Sequence, residues 1–126
     1  MEVSQIMNKA FIIEDNVTLK NAAKMMSVKN IGSLLIVKDS KILGIITERD
    51  ILKNLNRLNA KVSSVMTRKV ITIESNEELE EATNLMAENK IKRLPVVQNN
   101  NLVGIITVTD IIAHAKEINE EEFMIN

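Results

Sequence analysis

Apolar residues recur along this chain at two spacings that alternate. Short apolar runs such as AFII (10–13) and LLIV (34–37) are the size of strands. Between them, Leu19, Ala22, Ala23 and Met26 follow the i, i+3, i+4, i+7 spacing of a helix that buries one face. The polar stretch KDSK (38–41) separates two apolar runs and predicts a β-hairpin, after which a helix opens at Thr47. The first half is therefore predicted to be strand–helix–strand–strand–helix.

The second half repeats this pattern. VSQIM (3–7) matches VSSVM (62–66) at an offset of 59, and after one inserted residue near 72–74 the offset becomes 60. GIITERDI (44–51) then meets GIITVTDI (104–111), while the unmatched positions are mainly charged or polar. Two units with a common core and different surfaces are expected to give this distribution.

The repeat predicts an α+β fold with α/β-type layers. Residues 1–60 form the first repeat and 61–119 the second, followed by an acidic tail at 120–126. Asn16 or Thr18 is expected to cap the first helix, and Ser75 or Asn76 its counterpart. One copy cannot cover both faces of a three-stranded sheet, so we expect the repeats to pack together with pseudo-two-fold symmetry.

Composition narrows the classes of function. The formal net charge is −1, and the chain has two phenylalanines but no tyrosine or tryptophan, which disfavours nucleic-acid binding. It has no cysteine and a single histidine, so no thiol nucleophile and no metal site is expected. The first ten residues lack the pattern of a signal peptide, and no apolar run approaches the length of a membrane span. A cytoplasmic protein is the expectation.

The duplicated Thr-x-x-Asp phrases allow two interpretations. Thr47 with Asp50, and Thr107 with Asp110, can each form a capping box at a helix start. A helix N-terminus also suits a phosphate, and an aspartate there can accept both hydroxyls of a ribose. The two roles are compatible, because the threonine can cap while the aspartate faces a ligand.

The dipeptide Lys92-Arg93 stands before one strand, where the first repeat has Gly32-Ser33. Such a pair can neutralise a phosphate, or it can be an ordinary solvated basic pair. The chain shows no Ser/His/Asp arrangement, no Gly-rich phosphate loop and no close carboxylate pair with a dedicated base. We therefore do not expect an enzyme.

The tandem repeat, the entry MTRKVITI (66–73), the strand RLPVV (93–97) and the paired GIITxxDI phrases together resemble a CBS-domain pair, also called a Bateman module. The resemblance runs from about Val3 to Ile118, so it looks like a stand-alone pair. It implies regulatory binding of AMP, ADP, ATP or S-adenosylmethionine in two clefts between the repeats, with no obligatory cofactor. It also implies association through the helices into a homodimer, and a regulated protein partner whose identity the sequence does not give.

The resemblance also implies which residues hold the ligand. One cleft would comprise Asp110 for the ribose, Thr107 and Thr109 near ribose and phosphate, Lys92 and Arg93 at the phosphate, and Ile105, Ile13 and Ile31 at the base. The other would comprise Asp50, Thr47, Arg49, Gly32, Ser33 and Ile45, with Ile73 and Ile91.

The sequence departs from the family pattern in ways that bear on these clefts. Glu14 and Glu74 stand where many members have proline, and only Arg49 offers positive charge in the first cleft. We therefore expect unequal sites, with the Asp110 cleft preferring the more phosphorylated ligand. The competing hypothesis is a structural or protein-interaction module with empty clefts, in which the Thr-x-x-Asp phrases act only as caps.

Overall fold

The structure, a computed structural model, describes the backbone of residues 1–125 and the side chains of residues 1–116. It divides the chain into two compact units, one formed by Ala10–Val70 and the other by Met1–Lys9 together with Ile71–Asn126. The units do not coincide with the sequence repeats 1–60 and 61–119. Each unit takes one short segment from the neighbouring repeat, VSQIM in one case and VSSVM in the other.

The unit Ala10–Val70, which we call the basic unit because it carries eleven Lys and Arg against five Asp and Glu, has the predicted order of elements. These are β1 (Ile12–Ile13), α1 (Leu19–Lys29), β2 (Ser33–Lys38), β3 (Lys41–Thr47) and α2 (Glu48–Lys53). The sheet order is β1-β2-β3, with β1 parallel and β3 antiparallel to β2. The hairpin turns at Asp39 and Ser40, both at positive φ, as a two-residue turn requires.

The other unit, called the acidic unit for its five basic and twelve acidic residues, repeats this order. It contains β4 (Ile73–Glu74), α3 (Leu79–Asn89), β5 (Arg93–Gln98), β6 (Asn101–Thr107) and α4 (Val108–Ile125). The sheet β4-β5-β6 has the same parallel and antiparallel pairings, and its hairpin turns at Asn99 and Asn100. The predicted strand–helix–strand–strand–helix order, twice, is therefore confirmed.

The last helices of the two units differ in length. α2 ends at Lys53 and is followed by a 3₁₀ turn at Leu55–Arg57, whereas α4 continues to Ile125. The backbone of 120–125 in the predicted acidic tail is thus helical, while its side chains and Asn126 lie outside the described residues. Among the described residues, no helix combines the length and apolar character needed to cross a bilayer.

Each unit has its own hydrophobic core, and equivalent residues occupy both. Leu34, Ile36 and Ile46 are fully buried in the basic unit, as are Leu94 and Ile106 in the acidic unit. The exchanged segments contribute to these cores: Val62 is fully buried in the basic unit, and its repeat equivalent Val3 is fully buried in the acidic one. The core of the acidic unit therefore combines the N-terminal segment with residues that follow Val70.

Of the two predicted helix N-caps, one is confirmed and one is wrong. Thr18 caps α1, since its side chain accepts a hydrogen bond from Asn21 N at 3.2 Å. The prediction of Ser75 or Asn76 as the cap of α3 is wrong, because the N-cap is Glu78. Ser75 instead lies in the turn that follows β4, where its N–H donates to Val97 O at 2.9 Å. The first N–H of α3, at Leu79, donates to Met1 O at 2.9 Å.

Candidate functional site

Thr47 and Asp50 form a capping box at the junction of β3 and α2. Thr47 N donates to Asp50 Oδ2 at 2.8 Å, and Asp50 N donates to Thr47 Oγ1 at 3.4 Å. The Thr47 hydroxyl also donates to Asp50 Oδ2 at 3.1 Å. Aspartate therefore reaches back despite being shorter than the usual glutamate. One carboxylate oxygen, Oδ2, accepts both of these donors from Thr47.

Thr107 and Asp110 repeat the box at the junction of β6 and α4. Thr107 N donates to Asp110 Oδ2 at 2.9 Å, and Asp110 N donates to Thr107 Oγ1 at 3.2 Å. The second oxygen, Oδ1, accepts from Asn8 Nδ2 at 2.6 Å. Asn8 was not among the residues predicted for this candidate site. Its repeat equivalent, at an offset of 59, is Thr67.

Glycine at position 104 lets Asn8 come this close. Asn8 and Ile105 exchange two backbone hydrogen bonds, of 2.8 and 2.9 Å. A Cβ on Gly104 would lie 2.8 Å from both Asn8 O and Met7 Sδ, which is closer than real Cβ contacts allow. Gly44 has the same relation to Met66 and Thr67 in the basic unit. The two glycines that open the repeated phrase are therefore required by a crossing backbone segment.

The two carboxylates differ in the acceptor positions that remain. An ionised carboxylate offers about four lone-pair sites, two on each oxygen. Asp110 uses one site on each oxygen, so one remains on each. Asp50 uses both sites of Oδ2, while its Oδ1 accepts no hydrogen bond from the described residues. Only Asp110 thus presents two adjacent acceptors on separate oxygens.

The basic pair of the acidic unit lies beside its capping box. Arg93 is paired across the sheet with Thr107, and Val108 N at the start of α4 donates to Lys92 O at 2.9 Å. In the basic unit the same positions bring Ser33 opposite Thr47 and Gly32 O to Glu48 N at 3.1 Å. The fold therefore places two basic residues beside one capping box and two small residues beside the other.

The remaining predicted site residues are divided between the two units. Thr109 and Arg49 are both exposed in the first turn of their helices, one residue before the aspartate. Ile105 and Ile45 are half-buried on β6 and β3. Of the remaining isoleucines, Ile13 and Ile31 belong to the basic unit, and Ile73 and Ile91 belong to the acidic one. Their assignment to the ligand site of the opposite repeat stays a prediction.

Comparison with known proteins gives consistent matches. The family model of the CBS domain matches residues 3–57 and again 62–117. The chain is 39% identical over 105 residues to the uncharacterized protein MJ1232 of Methanocaldococcus jannaschii, covering 82% of this chain. It is 36% identical over 116 residues to an inosine-5′-monophosphate dehydrogenase of Thermoplasma acidophilum, covering 91% of this chain. The matches span only 36% and 24% of those two relatives.

Among solved structures, the chain is similar to the CBS domain pair of protein MJ0100 in complex with 5′-methylthioadenosine and S-adenosyl-L-methionine. The TM-score is 0.87 with 32% sequence identity, and the match covers 93% of this chain and 97% of that one. The similarity therefore extends over both repeats.

Proposed function

Since the chain belongs to the CBS-domain family, whose paired domains are regulatory rather than catalytic, we propose that it senses an adenosine-containing ligand. The candidates are AMP, ADP, ATP and S-adenosylmethionine. The CBS domain pair of MJ0100, which binds two adenosine compounds, supports this ligand class. Ligand binding would change the populations of the module's conformations and thereby the activity of a regulated protein. The shift in populations can be no larger than the difference in the ligand's affinity for those conformations.

The observation that carries the proposal is the pair of acceptors on Asp110. Thr107 and Asn8 orient the carboxylate and leave one acceptor position on each oxygen. The adjacent 2′- and 3′-hydroxyls of a ribose are two neighbouring donors, as an acidic residue in a dinucleotide site requires. We propose that Asp110 accepts both hydroxyls, while Lys92 and Arg93 neutralise the phosphate.

The Asp50 site is proposed to bind a ligand of lower charge. Its acceptors are concentrated on Oδ1, and Gly32 and Ser33 replace the two cations. Arg49 is the cation of this predicted set. We therefore expect adenosine or S-adenosylmethionine to compete better with ATP at Asp50 than at Asp110.

Titration calorimetry with AMP and ATP tests the proposal on the variants Asp110→Ala and Asp50→Ala. Loss of Asp110 is expected to lower nucleotide affinity at its site at least tenfold, by about the value of two hydrogen bonds to a charged group. Glu48→Ala is the matched control, because Glu48 is an exposed acid in the same helical turn as Asp50. Unchanged affinity in Asp110→Ala, with the fold intact by circular dichroism, contradicts the assignment.

A second function, a structural or protein-interaction module without a ligand, is favoured by the capping boxes themselves. Both aspartates have a structural role in starting α2 and α4. A thermal-shift screen separates the two functions. A ligand at a hundred times its Kd adds about 2.7 kcal/mol of stability, which raises Tm by several degrees for a domain of this size. A flat response to all adenosine compounds supports the structural module.

Self-association into a homodimer completes the proposal. Leu52 and Leu55 are 68% and 60% exposed, and Ile112 in α4 is 62% exposed. Large apolar side chains left this open often mark an interaction surface. Sedimentation velocity over a range of concentrations is expected to show a dimer, and a monomer at every concentration contradicts this part of the proposal.

A further inference from the structure

The two glycines that open the repeated phrase are each covered by a methionine thioether. A Cβ on Gly104 would lie 2.8 Å from Met7 Sδ and 3.1 Å from Met7 Cγ. A Cβ on Gly44 would lie 2.6 Å from Met66 Sδ and 2.8 Å from Met66 Cγ. Met7 and Met66 are repeat equivalents at the offset of 59. In both units, therefore, the methionine fills the space that a side chain at the glycine would need.

The two methionines differ in their exposure to solvent. Met66 is 8% exposed and belongs to the buried core of the basic unit. Met7 is only half-buried, and it packs against the core of the acidic unit without being enclosed by it. A small oxidant has to reach a methionine sulfur before it can react with it. We therefore expect Met7 to be the more reactive of the two.

Met7 is bonded directly to the residue that holds the Asp110 carboxylate. Asn8, the next residue in the chain, exchanges two backbone hydrogen bonds with Ile105. Its side-chain amide donates to Asp110 Oδ1 at 2.6 Å. On the other side, Met7 N donates to Val3 O at 3.0 Å. A displacement of Met7 is therefore transmitted to Asn8 through a single peptide bond.

The surroundings of Met7 suit a thioether and not a sulfoxide. The sulfur lies against Gly104, and the side chain packs with the apolar core of the acidic unit. A sulfoxide is polar, and its oxygen needs a hydrogen-bond donor. The backbone N–H groups of Asn8 and Ile105 are already bonded to Ile105 O and Asn8 O. The oxidised side chain therefore has to take its hydrogen bonds from water, which draws it out of the core and displaces Asn8.

We propose that Met7 is an oxidation site, and that its conversion to the sulfoxide releases Asn8 from Asp110 and weakens ligand binding there. The weakening of ligand binding rests on the function proposed above, whereas the oxidation of Met7 and the release of Asn8 do not. Methionine sulfoxide is reduced back to the thioether by methionine sulfoxide reductases, so the change is reversible.

The oxidant is a hydroperoxide. A lone pair of Met7 Sδ attacks the terminal oxygen of the peroxide, so that an S–O bond forms and the O–O bond breaks. The sulfur is oxidised by two electrons, and the peroxide is reduced to an alcohol, or to water in the case of hydrogen peroxide. The proton of the attacked hydroxyl passes to the departing oxygen. The reaction needs no other reactant.

The Asp50 site is expected to be insensitive to the same oxidant. Met66 is buried, so the oxidant does not reach its sulfur as readily. Among the described residues, the donors to the Asp50 carboxylate belong to Thr47, and Thr67, which follows Met66, is not one of them. Oxidation therefore changes the Asp110 site and leaves the Asp50 site as it was.

Treatment with hydrogen peroxide, followed by peptide mass spectrometry and NMR, tests the site without any ligand. We expect Met7 to be oxidised at least about fivefold faster than Met66, because its sulfur is more accessible. In protein oxidised at Met7, the side-chain amide signal of Asn8, identified by its absence in Asn8→Ala, should move towards that of an amide exposed to water. Oxidation of Met66 before Met7, or an unchanged Asn8 signal in protein oxidised at Met7, overturns the proposal.

Calorimetry with AMP in the Asp50→Ala background tests the consequence for the Asp110 site. Peroxide is expected to weaken AMP binding about threefold to tenfold, the value of the orienting hydrogen bond, and reduction by a methionine sulfoxide reductase should restore it. Met7→Leu, which conserves volume, should bind AMP and resist peroxide. Met25→Leu, which removes another half-buried methionine, is the matched control and should lose affinity as the parent does. An equal loss in Met7→Leu overturns the proposal. If the parent binds no adenosine compound while the Asn8 signal still moves, the proposed function is wrong and the Met7 site is supported.

Discussion

Asn8 and Asp110 are 102 positions apart in sequence, and the Asn8 side-chain amide donates to Oδ1 of Asp110 at 2.6 Å. The capping box occupies one oxygen of this carboxylate and Asn8 the other. The basic unit has no such arrangement, since the equivalent of Asn8 is Thr67 and both donors to Asp50 come from Thr47. The two similar sequence phrases therefore carry carboxylates that differ in which oxygens already accept hydrogen bonds.

Replacing Asn8 by alanine is expected to weaken nucleotide binding at Asp110 by about threefold to tenfold, the value of one hydrogen bond that orients the carboxylate. Calorimetry with adenosine and 2′-deoxyadenosine provides the readout. The preference for the ribose should shrink, because Oδ1 is no longer fixed for one of the two hydroxyls. Thr67→Ala is the matched control. A gain in affinity in Asn8→Ala would show that the amide competes with the ligand.

Removing the basic pair is expected to weaken binding of the ligand's phosphate groups and to leave binding of the nucleoside unchanged. In Lys92→Ala/Arg93→Ala, ATP affinity should fall at least tenfold while adenosine affinity changes little, because charge-assisted contacts to the phosphate are lost. Lys41→Ala/Lys61→Ala, which removes two exposed lysines of the basic unit, controls for the change in net charge. Equal losses for ATP and adenosine are not compatible with a phosphate-binding role.

Substituting Gly104 is expected to lower both the free energy of unfolding and the ligand affinity. The new Cβ of Gly104→Ala would meet Asn8 O and Met7 Sδ at 2.8 Å, and Asn8 O is backbone that must move. We expect a loss of about 1–3 kcal/mol in the free energy of unfolding, measured by urea denaturation. Ligand affinity should fall as in Asn8→Ala, since the shift carries the amide away from Asp110. A variant as stable as the parent contradicts the proposed close approach.

The two cores are expected to respond alike to truncation. Leu34 and Leu94 are equivalent and both fully buried, one in each unit. Leu34→Ala and Leu94→Ala should each lower the free energy of unfolding by about 2–5 kcal/mol. Val28→Ala is the control, because Val28 is 85% exposed and should change stability by less than about 0.5 kcal/mol. A core variant no less stable than Val28→Ala would contradict its burial.

The order of elements was predictable because periodicity reports which side chains are buried locally. The apolar spacing of α1, the polar turns of both hairpins and the Thr-x-x-Asp helix starts are all short-range signals, and the structure confirms them. The cap of α3 was predicted wrongly, because Ser75 lies in the turn after β4, where its N–H is bonded to the carbonyl of Val97, a partner 22 positions away. Local composition carries no information about such a partner.

The contribution of Asn8 was not predictable for the same reason. Repeat alignment reveals that VSQIM and VSSVM are similar, but similarity does not state which unit each segment joins. The exchange of these segments brings Asn8 to Asp110. A polar residue that follows a repeated apolar segment, and that differs between the copies, was the available signal.

The exchange of the N-terminal segment also sets an order of events during synthesis. The basic unit is complete once Val70 has been made, so it can fold while the rest of the chain is still on the ribosome. Val3 has to remain without its partners until Glu77, whose carbonyl it will bind at 2.9 Å, has emerged. Val3 thus precedes the basic unit in the chain but reaches its native contacts after that unit is complete, and its pairing with Glu77 closes a loop that contains the whole basic unit.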